Sequence, residues 1–326
     1  MRNGRPKTLW MFSGQGSQYY QMGLDLYESH ESFRRELETA DRIAQRMLNE
    51  SLIEIVYRAR EDRFEPFDEI LHSHPALLMI EYALARVLLA HHVEPDALFG
   101  YSLGELTARL ISGAISLEDA MSFAVKTAEL IHYCAPAGKM LAVLHAAEIV
   151  EQYPAAFEGC EIAAHNFPGN FIVAGPADAV GRLKQFLASR DINTIELPVA
   201  HPFHSSLMAG IRTPLRELAD QIAFSRPRIP VLSALNGEPV ETDSPERLLE
   251  AMSAQVDFGA TLRTLERSGP WLYLDLGPSG SLATTVKYNL NADSRSEILS
   301  IITRFGQAGR NLQRLLDRLN SDPSGE

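Results

Sequence analysis

Apolar positions fall into two kinds of run. Short compact ones predict buried strands: Thr8 to Phe12, Ala97 to Phe99, Pro230 to Leu235, Trp271 to Leu276 and Ile298 to Ile302. Longer stretches repeat at three- and four-residue steps and predict helices. The first spans Gln21 to Val56, carried by Met22, Leu26, Phe33, Leu37, Ala40, Ile43 and Met47. Pro75 opens the next, Ala76 to His91, whose apolar residues run almost all round and so demand burial on every side. Glu81 and Arg86 interrupt that stretch, which argues for a core helix over a membrane span. A helix from Leu103 to Ser112 stops at Gly113, and Ser116-Leu117-Glu118-Asp119 caps another that runs to Tyr133. Arg58 to Asp68 reads as a charged loop.

Between Gly138 and Val199 the pattern changes to strand (Met140 to Leu144), helix, strand (Glu161 to His165), strand (Phe171 to Ala174), helix (Ala177 to Ser189) and strand (Thr194 to Leu197). That βαββαβ order is the ferredoxin-like signature. It divides the chain into a discontinuous large α/β domain, 1–135 and 203–326, and an inserted small subdomain, 136–202. Helices are then expected from His204 to Ala223, Pro245 to Ala254, Ala260 to Ser268, Ser281 to Asn289 and Arg310 to Leu319, before a polar tail, Ser321 to Glu326.

Composition narrows the function. A formal net charge of −12 disfavours nucleic acid as a partner. Two cysteines, Cys134 and Cys160, form no CxxC, and a reducing, cytoplasmic setting is expected. The basic N-terminus, Met1 to Lys7, is followed by an apolar run too short for a signal peptide. No metal, nucleotide or redox cofactor is indicated.

Two stretches carry chemistry. Gly100-Tyr101-Ser102-Leu103-Gly104-Glu105 follows a strand and opens a helix, as a nucleophile elbow does. The glycines permit a sharp turn that exposes the serine hydroxyl at a helix N-terminus, where free N–H groups stabilise developing negative charge. Ser13-Gly14-Gln15-Gly16-Ser17-Gln18 ends the first strand, its glycines marking either a tight turn or a close approach by another group.

Together with Pro202-Phe203-His204-Ser205-Ser206-Leu207-Met208 and Leu276-Gly277-Pro278, these stretches resemble the acyltransferase family of fatty-acid and polyketide synthesis, in order and spacing, over about residues 8 to 305. The resemblance implies a hydrolase-like α/β body with a ferredoxin-like insert, and acyl transfer between coenzyme A and acyl carrier proteins. It implies Ser102 as nucleophile, His204 as base, and an oxyanion hole from the backbone N–H groups of Gln15 and Leu103. In the family a backbone carbonyl orients the histidine. His201 and Phe203 flank the base, His201 off the catalytic position, and Asn166 matches an asparagine near the site, or is a turn residue.

Three departures bear on substrate. Malonyl-loading relatives carry an arginine on the helix after the elbow helix; Thr127 stands there, and a hydroxyl does not neutralise a carboxylate. Lys126 should point elsewhere, one residue being about 100° of helical turn. Arg109, on the elbow helix, is the candidate substitute cation. Tyr101 replaces a common histidine, and Ala251 a common glutamine. Members without the arginine include stand-alone acyl hydrolases of polyketide assembly lines, which the runs Ser73-His74-Pro75-Ala76 and Gly138-Lys139-Met140-Leu141 also resemble. The expectation is hydrolysis of stalled acyl groups taken from acyl carrier proteins. The alternatives are a transferase loading malonyl or monocarboxylic units, a non-catalytic docking module, and a lipase-type hydrolase, whose HGGG-type loop the chain lacks. Carrier proteins being acidic, Arg182, Lys184, Arg190, Arg212 and Arg216 are candidate docking residues.

Overall fold

The computed structural model describes residues 7–58, 62–240 and 242–320; residues 1–6 of the basic N-terminus, 59–61 of the charged loop and the tail Ser321 to Glu326 lie outside them. Strand β1 (Lys7–Phe12) leads through α1 (Leu24–Ser29), α2 (Glu31–Leu48) and α3 (Ile70–Ala90) to β2 (Ala97–Gly100). Next come α4 (Gly104–Ser112) and α5 (Leu117–Cys134). The inserted segment runs β3 (Lys139–Val143), α6 (Ile149–Gln152), β4 (Glu161–Phe167), β5 (Asn170–Gly175), α7 (Ala177–Ala188) and β6 (Thr194–Glu196). Then follow α8 (Arg212–Ala219), β7 (Val231–Leu232), α9 (Pro245–Ser253), β8 (Val256–Asp257), α10 (Phe258–Arg267), β9 (Trp271–Asp275), α11 (Ser281–Asn289), β10 (Glu297–Ser300) and α12 (Ala308–Asn320).

The larger sheet has the order β10-β9-β1-β2-β7, with every pairing parallel. Its strands read as unbroken apolar runs because both faces are covered. On β1, Trp10 and Phe12 face the helical layer that holds α3, while Leu9 and Met11 face a second core shared with the smaller sheet. Helix α3 packs among α2, α4 and α5, which is why it is apolar all round. It is long and apolar enough to cross a membrane, yet it lies mostly buried inside the protein.

The smaller sheet has the order β6-β3-β5-β4-β8. Its first four strands, numbered within the insert, run 4-1-3-2, the ferredoxin-like arrangement. Leu141, Val143, Phe171 and Val173 pack under α7, and Met140, Ala142, Ile172 and Ala174 face the larger sheet. The fifth strand, β8, comes from outside 136–202 and pairs parallel with β4, Ala164 with Val256 and His165 with Asp257. Strand pairing therefore crosses the division drawn from sequence.

Three predicted helices differ from the structure. Gln21 to Val56 is broken at His30, whose extended backbone and Nδ1, accepting from Phe33 N–H, cap α2; left-handed Asn49 ends that helix. Helix α3 starts at Ile70, five residues before Pro75, because the Glu69 carboxylate caps it by accepting from Leu71 N–H. The helix expected from His204 to Ala223 is a loop, a 3₁₀ segment (Ser206–Ile211) and then α8. His204 has φ +57°, which no right-handed helix accommodates, and Pro214 sits in the first turn of α8, where its missing N–H costs nothing.

Candidate active site

At the end of β2 the chain turns within four residues into α4. Tyr101 N–H donates to Phe12 O at 2.9 Å, and Gly104 N–H and Glu105 N–H donate to the carbonyls of Tyr101 and Ser102 at 3.0 Å. Ser102 is forced to φ +56°, a strained conformation for a non-glycine residue. Glycine is required on both sides: a Cβ at Gly100 would lie 2.2 Å from Glu105 N, and one at Gly104 2.1 Å from Phe12 O. Gly14 admits the elbow from the other strand, since a Cβ there would meet Tyr101 O at 2.8 Å.

The turn aims Ser102 Oγ at His204 Nε2, 2.8 Å away. His204 Nδ1 lies 2.8 Å from the Ala254 carbonyl. A carbonyl only accepts, so Nδ1 carries the proton and Nε2 presents its lone pair to the serine hydroxyl. Burial holds the imidazole below its ordinary 6.5, against the raising effect of the Ala254 and Ser253 backbone. The neutral base is thus the resting form at pH 7. Acylation should be flat through neutral pH and fall with unit slope as acid protonates Nε2, the limb lying below pH 6.5; rapid-quench acylation at graded pH measures it, and a limb above 6.5 contradicts this geometry.

Beside the pair is a cavity of about 240 Å³. Gln15, Leu103, Thr127 and Phe203 border it. The backbone N–H groups of Gln15 and Leu103 donate to no group among the described residues, which leaves both available to an oxygen beside Ser102. Most of the remaining wall is apolar, including Ile131, Met208, Ile211, Leu215, Leu249 and Met252. His74, Ser253 and Arg212 also border it. Thr127 Oγ1 is buried without a hydrogen-bond partner, so no guanidinium rests on it. Lys126 turns away and donates to Gln221 Oε1 at 3.2 Å.

The glycine-rich loop is braced from behind. Gln18 Oε1 accepts from Gly16 N–H, while its Nε2 donates to the Phe67 and Pro198 carbonyls. Buried Glu81 accepts from Ser13 N–H, Ser13 Oγ and Thr107 Oγ1, and burial pushes its carboxyl up to about 8. The Leu276-Gly277-Pro278 stretch touches no cavity wall. It closes on the same loop: a Cβ at Gly277 would lie 2.4 Å from Ser13 Oγ, and Tyr19 donates to Pro278 O.

Four candidate substrate residues stand elsewhere. Arg109 is 1% exposed and bound to Glu105 and Asp243 at 2.5 and 2.8 Å, so its charge is consumed inside the protein. Tyr101 donates to Asn166 Oδ1 at 3.1 Å, and Asn166 Nδ2 to Asn170 Oδ1 at 2.8 Å; this chain joins the elbow to the smaller sheet outside the cavity. Asn166 is a strand residue of β4 beside a register shift rather than a turn residue. His201 donates through Nδ1 to Pro136 O at 3.0 Å, a latch across the base of the insert. Ala251 is buried in α9 and borders no part of the cavity; that helix lines it with Leu249, Met252 and Ser253, and the Ala254 carbonyl that follows meets His204. Among the proposed docking residues, Arg182 pairs with Asp178, Lys184 with Glu196, and Arg216 with Asp220 and Glu246, and Arg190 stacks on Phe186. Arg212 alone of the five borders the cavity.

Sequence reasoning missed His74 as a cavity residue, because a histidine in an apolar helix carries no period that separates lining from core. It also missed Glu81, although an acid in the middle of so apolar a run was the available signal.

A half-buried serine on a strained turn, with a neutral imidazole against it, sits in a hydrolase-like α/β body with a ferredoxin-like insert, the architecture of the acyl transferases. The family model for the acyl transferase domain matches residues 9–316, and the chain belongs to that family. Among its relatives is the polyketide biosynthesis acyltransferase homolog PksD of Bacillus subtilis (strain 168), 36% identical over 304 residues, 93% of this chain and 94% of that one. The BaeD homolog of Bacillus velezensis is 34% identical over 316 residues, 97% of each. The solved structure of MCAT from Streptococcus pneumoniae superposes with a TM-score of 0.77 at 27% identity, over 96% of this chain and 100% of that one.

Proposed function

We propose that the protein takes short acyl groups from acyl carrier proteins of a polyketide assembly line onto Ser102 and hydrolyses them, clearing stalled units. Ser102 Oγ attacks the thioester carbonyl carbon while His204 Nε2 takes its proton. The N–H groups of Gln15 and Leu103 hold the oxyanion, each such donor being worth about 3 kcal/mol. The C–S bond breaks and the thiol leaves with the proton. Water, losing a proton to the same imidazole, then attacks the acyl-enzyme to give free acid and Ser102.

The observation that carries the reading is the cavity wall at Thr127, where an unpaired hydroxyl stands among apolar side chains. A carboxylate pressed there would be desolvated without a counter-charge. At about 30 Å³ per water-sized group, the volume suits a short chain. The acyl group arrives on phosphopantetheine or coenzyme A, and the chain needs no cofactor of its own. The carrier protein is the partner, and the two free cysteines, Cys134 and Cys160, fit a cytoplasmic setting.

A second reading, loading of malonyl or monocarboxylic units onto the carrier thiol, is favoured by Arg212 at the cavity edge. Transfer and hydrolysis share the first half-reaction. Acyl carrier thioesters are therefore assayed with and without holo acceptor. Free acid forming at the same rate in both is the expected result; strict dependence on acceptor rejects hydrolysis.

A further inference from the structure

Three residues that line the cavity carry buried polar atoms with no hydrogen-bond partner among the described residues. His74, on α3, is 3% exposed, and neither Nδ1 nor Nε2 has a hydrogen-bond partner. Thr127 Oγ1, on α5, is in the same condition. Gln15 Oε1 is the third; the Nε2 of that side chain is tied to Ser73 Oγ at 2.7 Å, next to His74 in the chain. Buried polar atoms cost free energy unless paired, and here the three side chains that carry them belong to the lining of one cavity that also holds Ser102. Burial pushes the imidazole of His74 down to about 4, so at pH 7 it is neutral and offers one donor and one acceptor.

We propose that this cluster selects acyl chains bearing an oxygen on the third carbon, 3-hydroxyacyl or 3-oxoacyl groups, over fully reduced chains of equal length, with His74 as the deciding residue. The proposal rests on the reading that Ser102 is acylated. Gln15 sets the position. Its backbone N–H is assigned to the thioester carbonyl and its side chain ends beside Ser73, and in the acyl-bound state the unpaired atoms are taken to turn onto the first carbons of the chain. Ile131, Ile211, Leu215 and Leu249 line the same cavity and suit hydrocarbon. A hydroxyl donates to Gln15 Oε1 and accepts from the His74 N–H or the Thr127 hydroxyl. A keto oxygen accepts from the same two donors. A methylene leaves all of them unpaired, and a carboxylate there faces the Gln15 oxygen and the imidazole lone pair. Sites built to bond a substrate hydroxyl reject the analogue lacking it more strongly than apolar pockets reject an extra methylene.

Single-turnover acylation, followed by intact-protein mass after acid quench, tests this with hexanoyl, 3-hydroxyhexanoyl and 3-oxohexanoyl pantetheine thioesters. The wild type should acylate with the oxygenated chains at least about tenfold faster than with hexanoyl. In His74→Leu the ratio of oxygenated to hexanoyl acylation should collapse to about twofold. His74→Gln, which keeps a donor and an acceptor, should restore part of the preference, and Thr127→Val should remove part of it. Equal wild-type rates overturn the proposal, as does a ratio that survives in His74→Leu. Uniform slowing of every substrate in His74→Leu, with no recovery in His74→Gln, assigns the residue to packing and overturns it too. Failure of all three thioesters to label Ser102 removes the acyl-enzyme reading itself, a result distinct from equal labelling by all.

Discussion

Ser102→Ala is expected to abolish acyl labelling by thioesters and to lower their turnover at least about 10³-fold, while leaving the melting temperature at or above that of the wild type. The serine is the hydroxyl 2.8 Å from the His204 lone pair, and its side chain reaches the cavity shared with the free N–H groups of Gln15 and Leu103. Without the hydroxyl there is no bond to form, and polarisation by the two donors alone gives little. Stability holds because alanine adds no atoms to a half-buried site. Intact-protein mass after incubation with hexanoyl and 3-hydroxyhexanoyl pantetheine, beside a thermal melt, reads both quantities. Labelling that persists in the variant would place the nucleophile elsewhere.

The second large effect falls on folding. Arg109→Ala is expected to destabilise the protein by about 3 to 5 kcal/mol without redirecting acyl selectivity. The guanidinium is 1% exposed and lies between Glu105 and Asp243, both buried, and Glu105 also accepts from Ala234 N–H. Removing it leaves two carboxylates without a counter-charge in a medium that already pushes Glu105 above its ordinary range. Urea denaturation gives the loss in stability, and relative acylation by malonyl and hexanoyl thioesters gives the selectivity. Full stability together with a change in malonyl acylation would return Arg109 to the substrate site.

Much of the fold was legible because burial on both sheet faces leaves unbroken apolar strands, and β1 shows it in Leu9 to Phe12. The insert was legible because its strands and helices alternate with clear turn residues. Helix ends were read worse where the terminating signal was a histidine. His30 caps α2 with a ring nitrogen, and His204 ends no pattern but adopts a left-handed backbone that tertiary contacts impose. The elbow was readable from local spacing, since its glycines answer to contacts within six residues or across one neighbouring strand. The serine–histidine pair was not readable locally, being 102 residues apart; the resemblance supplied it. The group that aims the imidazole is a main-chain carbonyl at Ala254, and no side-chain pattern announces a carbonyl. Arg109 misled for a related reason: helical spacing gives its height on α4, and only packing reveals that Asp243 waits on the inner side.

Ala254 lies two residues before β8, whose Val256 and Asp257 are stitched to Ala164 and His165 of the smaller sheet. The main body therefore lends the insert an edge, and the same short stretch of backbone steers the imidazole. A load that tilts the insert pulls on that thread as well as on the Tyr101–Asn166 contact at the elbow. Such a linkage makes the aim of the imidazole answer to how the two lobes sit against each other.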